Sequence, residues 1–380
     1  MLQRSSPPRG FAITYTIKDE AALLPGALAW HRALGCRKFY IFLDGTSDAM
    51  RDWLPTQPDV VVRDSIRADD VIDPPAWIDW VRENEREWMD VRKNINSWVA
   101  ARTAAADGIA WLAAIDPDEL ILPHLFRDDD PAQMEKLLAE VPASCDQVFL
   151  PNCDLLPTGQ PVAGPFEQRY FLSRLPRLHM ANRILRKIAW VLTRSPVVQA
   201  RVEEGFYRLM LGDAMPRTLR DPATGEQLPG AYFLSYDSQK AILRTARYAR
   251  YRPRIHYWED ARGRRNAHKP AWARVLHFDL IDVDHFMHKF RQRRGTREGA
   301  QSRFAVRHVI ADIAMNRPEP EVRKFFLESL CVGDPARRAM LARRGLVRDL
   351  PRVEAFFAQL RASEPRPDQG TPGEAVNSRS

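Results

Sequence analysis

Cysteine is scarce in this chain: Cys36, Cys145, Cys153 and Cys331 are the only four, and none forms a C-x-x-C pair. A disulfide framework and a cysteine-built zinc site are therefore excluded, and a reducing compartment is expected. No run of about 18 consecutive apolar residues occurs, so no segment reads as membrane-spanning. The opening MLQRSSPPRG lacks the apolar core of a secretory signal. A cytoplasmic location follows as the expectation, with any membrane association confined to the surface. Phosphate-binding and hydrolase signatures are missing as well: no G-x-x-x-x-G-K-S, G-x-G-x-x-G or G-x-S-x-G stands at a strand-to-helix junction. Lysine is rare, with nine among 57 basic residues, and acids number only 49, leaving a net charge of +8.

What is present is an ordinary globular composition, 45% hydrophobic and 28% charged over 380 residues, enough for one large or two medium domains. Residues 11–17, FAITYTI, form a β-branched run, and Asp19 opens a helix with Leu24, Leu28 and His31 on one stripe. Gly35 ends that helix before a second buried strand, KFYIFL (38–43), and PDVVVRDS gives a third. One long or broken helix over 77–106 leads into a fourth strand, 109–115, and residues 148–152 form another. Strands without polar alternation, separated by helices, predict an α/β protein with a mostly parallel central sheet. The middle section to about 275 carries no clear pattern. Residues 284–361 read as helical, and the final 18 residues or so have a disordered composition.

The strongest chemical signal is WLAAIDPDELILP (111–123), an apolar strand feeding two acids spaced by one residue. On extended backbone, residues i and i+2 point the same way, so Asp116 and Asp118 are expected to share one hard cation, Mn²⁺ or Mg²⁺. Such a cation keeps positions open for phosphate oxygens.

The block IKDEAALLPGALAWHRALGCRKFYIFLDGTSD (17–48) resembles the opening of the family 2-like and family 92-like glycosyltransferases. Trp111 to Ile121 is a second match at the expected separation, and ARVLHFDLIDVDHFMHKF (273–290) a looser third. The resemblance spans about residues 10–295. It implies a GT-A-type nucleotide-binding sandwich over 10–295, followed by a helical extension (296–362) and a tail (363–380). It further implies a metal-dependent, inverting transfer of a hexose from an NDP-sugar donor to a saccharide or lipid-linked acceptor. In family terms Asp44 lies near the base or ribose, Asp116 and Asp118 hold ribose and metal with Glu119 in support, and His277 reaches the metal or diphosphate. Lys187 and Arg194 resemble a phosphate-contacting basic segment. The sequence departs from the family in having Gly26-Ala27 within the first helix and in the register of Leu43-Asp44-Gly45-Thr46. If the transfer inverts, an acid must take the acceptor's proton, and Asp154, Glu203 and Asp237 lie in the right part of the chain.

From Arg244 to Arg307 there are 17 basic and six acidic side chains. Such a stretch can screen a diphosphate or meet an anionic membrane. It also supplies the alternative reading, a non-catalytic module for nucleic acid or an acidic polymer, with Tyr248, Tyr251, Tyr257 and Trp258 interleaved as a stacking surface. Two other signals carry little. FLDGTS looks like a phosphatase motif, but Phe42 stands where the nucleophilic Asp belongs, and His285 with His288 near Asp282 lacks a third ligand of clear spacing.

Overall fold

Residues 9–124, 130, 132–173, 176–212, 219–228, 239–271, 273–291 and 305–363 are described by the computed structural model. Asp237 and residues 364–380 of the expected tail lie outside them. β1 (Arg9–Ile17) is buried along nearly its whole length. It runs parallel to β2 (Cys36–Leu43), which pairs in parallel with β3 (Val60–Asp64), and on its other side to β4 (Ile109–Ala114). Between these strands run α1 (Leu24–Ala33), the short α2 (Met50–Trp53), α3 (Ile78–Asn84) and α4 (Met89–Ala106). The helix expected over 77–106 is thus broken, and the break falls in the polar run before Trp88.

Beyond β4 the chain forms β5 (Glu119–Pro123), α5 (Gln133–Ala139), β6 (Gln147–Asp154) and β7 (Tyr170–Leu172), then the helices α6 (Pro176–Thr193) and α7 (Pro196–Leu211). β8 (Gln239–Arg244), β9 (Arg252–Arg254), β10 (Tyr257–Glu259), β11 (Ala267–His268) and β12 (Ala273–His277) follow. The nine-stranded sheet has the order β3-β2-β1-β4-β8-β6-β12-β5, with β11 beside β6. β8 is antiparallel to both its neighbours and β5 to β12, so the other seven strands share one direction. This is a mixed, mostly parallel α/β sheet compatible with a GT-A-like sandwich. In such sheets ligands bind outside the carboxyl ends of the parallel strands. Here that edge carries the segments after β1, β2, β4, β6 and β12.

The last part of the described chain is helical: α8 (Val283–Arg291), α9 (Ala305–Asn316), α10 (Glu319–Phe325), α11 (Pro335–Arg343) and α12 (Pro351–Ser363), with β13 (Val347–Asp349) paired to β7. These helices share cores with the rest. Trp30 of α1 is fully buried against Phe356 and Phe357 of α12. Phe166 lies over the backbone of α1 at Gly26, where an added Cβ would meet its ring at 2.8 Å. The glycine that departs from the family pattern therefore makes room for a core ring. A second core joins Tyr207, Leu280, Phe286, Phe325 and Phe326.

Several arginines of the rich stretch engage partners within the fold. Arg244 stacks over Trp111 and Arg252 over Trp80, each 4.1 Å from the ring centre, while Arg247 and Arg250 approach Asp146. Tyr251 and Trp258 are buried. The interleaved aromatics therefore do not form the open stacking surface that the alternative reading needs. No described helix is long and apolar enough to cross a membrane.

Candidate metal centre

β4 gives way to a tight turn in which Glu119 N–H donates to the Asp116 carbonyl at 2.9 Å. Pro117 occupies the second position, where its fixed φ suits a turn. The backbone reverses instead of running on, so the expected i, i+2 alternation does not aim Asp116 and Asp118 at one point. Each carboxylate meets a different set of partners.

Asp116 is held by two ammonium groups, Lys93 Nζ at 2.5 Å and Lys240 Nζ at 2.8 Å. Lys240 also reaches Glu119 Oε2 at 2.9 Å, and that oxygen accepts from Asp116 N–H. Burial alone would push the Asp116 carboxyl up, but Lys240 and Lys93 outweigh it and hold it well below the ordinary range. Burial likewise disfavours a charged Lys240, and Asp116 and Glu119 more than restore it. Two acids thus face two lysines.

Asp118 has partners of its own. β12 pairs antiparallel with β5, His277 standing opposite Glu119, and Phe278 N–H donates to the Asp118 carbonyl at 2.8 Å. This ladder brings His277 and Asp279 beside Asp118. One ligand atom from each of the three lies within 4.8 Å of the others. His277 Nδ1 donates to Asp154 Oδ1 at 2.7 Å, which fixes the ring and turns Nε2 toward Asp118 Oδ2 (3.6 Å) and Asp279 Oδ1 (3.8 Å). The ammonium of Lys289, from α8, bridges Asp118 and Asp279, 2.7 Å from the latter. Burial disfavours a charged imidazole, yet Asp279 and Asp118 raise His277 well above its ordinary value. Glu20, after β1, faces the same group: burial and Asp118 push its carboxyl up to about 8 against the pull of Lys289 and Lys93. Among the described residues, three aspartates here meet one lysine and one imidazole.

The sequence is 25% identical over 168 residues to a glycosyltransferase-like protein of Arabidopsis thaliana, a match covering 39% of this chain and 35% of that protein. No family model matches the chain. The chain thus spans about a third of the relative's length.

Of the residues singled out from sequence, the structure brings together Asp116, Asp118, Glu119, Asp154 and His277. Asp44, at the end of β2, is clamped by Arg92 through two bonds of 2.7 and 2.8 Å. Glu203 is buried on α7, where it accepts from Asn182 at 2.8 Å and pairs with Arg186. Lys187 is exposed on α6 and Arg194 in the turn that follows; among the described residues neither meets the acidic clusters. His285 and His288 lie on α8 outside the ligand set. Burial and Lys289 push His285 down to about 4. Sequence reasoning missed Asp279, Glu20 and the three lysines. Rarity was the available signal: three of only nine lysines converge at this edge.

Proposed function

We propose that the protein transfers a hexose from an NDP-sugar to a saccharide or lipid-linked acceptor, with Mn²⁺ or Mg²⁺ held by Asp118, His277 and Asp279. The observation that carries this reading is the convergence of two carboxylates and an imidazole at the carboxyl edge of a mostly parallel sheet. The sequence blocks and the Arabidopsis relative support glycosyl transfer in general. The donor set fits a hard, oxygen-preferring divalent ion with one nitrogen ligand, and Lys289 marks the point at which positive charge is already favoured. When bound, such an ion neutralises the diphosphate as it leaves the sugar.

The chain's own residues prepare that event. Asp154 orients His277. Lys93 and Lys240 hold Asp116 at the edge, a quarter exposed and within reach of a ribose. If the configuration inverts, the acceptor oxygen bonds to the sugar's C1 as the bond to the diphosphate breaks, and the hydroxyl proton passes to a carboxylate. We assign that proton to Glu20, whose raised value lets it exchange near neutral pH.

Asp118→Ala is expected to abolish Mn²⁺-dependent NDP-sugar turnover and the Mn²⁺-dependent quenching of tryptophan fluorescence by UDP or GDP. Undiminished turnover would defeat the reading. A second reading is favoured by Lys289: its ammonium stands in the cation position and serves the diphosphate without a metal. Turnover that survives chelation and disappears in Lys289→Met would select it.

A further inference from the structure

Helix α6 sets polar side chains against its partner helix and aliphatic ones outward. Asn182 and Arg186 of α6 turn toward α7 and meet the buried Glu203. On the opposite face Met180, Ile184, Ile188 and Val191 recur at helical spacing and are at least half exposed. A helix at an ordinary water-facing surface shows the reverse arrangement. Of the thirteen large apolar side chains exposed among the described residues, eleven lie between Met180 and Met210, with Leu192 77% and Leu209 83% exposed. Isolated exposed aliphatics are common, but a cluster of this density marks a contact surface.

Charge identifies the partner. Arg183, Lys187, Arg194, Arg201 and Arg208 are exposed around the stripe. The hairpin's only acids, Glu203 and Glu204, are both buried; Glu204 is tied to Arg208 at 2.7 Å. Its outer surface therefore offers aliphatic and cationic groups and no carboxylate. A second copy of the chain docking there would set cation against cation. An anionic bilayer satisfies both features, with aliphatics entering the acyl boundary and the long basic chains reaching lipid phosphates.

We propose that the α6–α7 hairpin docks on an anionic phospholipid membrane. It thereby takes the role expected of the basic stretch after Arg244, several of whose arginines are stacked or paired inside the fold. The inference stands apart from the chemistry proposed above. It also places that chemistry: the inner face of α7 shares a core with Leu280 and Phe286, which neighbour Asp279 and Lys289 in the chain. A docked hairpin holds the acidic clusters close to the lipid surface.

Vesicle flotation of the full chain tests this, comparing phosphatidylcholine alone with a mixture containing roughly one third phosphatidylglycerol. The protein should float with the anionic vesicles only, and added salt should weaken the association. Ile184→Glu with Ile188→Glu, and separately Lys187→Glu with Arg194→Glu, should each reduce binding about tenfold or more while leaving the circular dichroism unchanged. Anionic vesicles should shift tryptophan emission to the blue in the wild type, and Trp190→Phe should remove that shift, a readout that needs no disruptive variant. Failure to float, flotation untouched by both double variants, or a dimer by light scattering that the isoleucine variants dissociate while vesicles leave the wild type in solution would each overturn the proposal.

Discussion

Two charged clusters lie side by side at the carboxyl edge of the sheet, and they are balanced differently. Around Asp116, two carboxylates meet two lysines, and Lys240 is almost wholly sealed. Around Asp118, three aspartates share one lysine and one histidine, and Lys289 is more accessible. The difference shows that two acids separated by a single proline can serve opposite ends. One cluster is a closed ionic joint that holds the turn in place, whereas the other gathers two carboxylates and an imidazole that could hold a metal ion.

The largest effect should come from opening the closed joint. Lys240→Met leaves Glu119 and part of Asp116 buried without a counter-charge, and should cost about 3–5 kcal/mol in urea denaturation; a loss under about 1 kcal/mol would erase the distinction. Acid acts on a group outside both clusters as well. His31 is fully buried, accepts from Ile121 N–H and is held down to about 3 by burial. The unfolded chain therefore binds the extra proton below pH 6.5. The contribution of His31 is complete above that value and falls by about 1.4 kcal/mol per unit as pH drops toward 3, while Glu20, raised to about 8, acts with the opposite sign between about 4.5 and 8. The difference in stability between the wild type and His31→Gln, measured by denaturation at pH 7 and at pH 5, isolates the His31 slope and should shrink at the lower pH.

Next in size is metal uptake by the open cluster. Mn²⁺ at a hundredfold excess over its Kd should stabilise the fold by about 2.7 kcal/mol. Asp279→Asn should abolish that gain while Asp116→Asn preserves it. Because His277 must shed a proton to ligate, the affinity should rise with pH. Asp154→Asn should weaken Mn²⁺ by about 10- to 100-fold in calorimetry, since it releases the ring rather than removing a ligand. Asp118→Asn without metal should destabilise the fold by roughly 1–3 kcal/mol, because, against the cost of burial, Lys289 and His277 hold that carboxylate well below its ordinary range and would lose a charged partner.

Much of the sheet was legible because its strands are continuous apolar runs: β1, β2, β3, β4 and β6 all stand out as such. β5 and β8 were not. Glu119–Pro123 follows the Asp116 turn too closely to separate from β4, and Gln239–Arg244 carries Lys240 in its middle, which breaks the apolar run. At the site, Asp118 and His277 emerged from spacing and resemblance. The alternation rule was sound but suited another pair: His277 and Asp279, at the end of β12, are the ones it brings to a common point, while Pro117 turns the chain between Asp116 and Asp118. The lysines escaped because nothing local distinguishes a lysine that folding will bury beside an acid from one left in water.

The antiparallel ladder between β5 and β12 has a consequence for how the ligand set responds to change. It stitches both halves of the ligand set to one rigid seam, and β6, which supplies Asp154, adjoins that seam directly. The chain that follows β6 is fastened to the same seam: Leu155 N–H donates to the His277 carbonyl at 2.8 Å, and Phe166 and Phe171 pack edge-on against Phe278. A change in the packing around Phe278 should therefore move Asp118, His277 and Asp279 together.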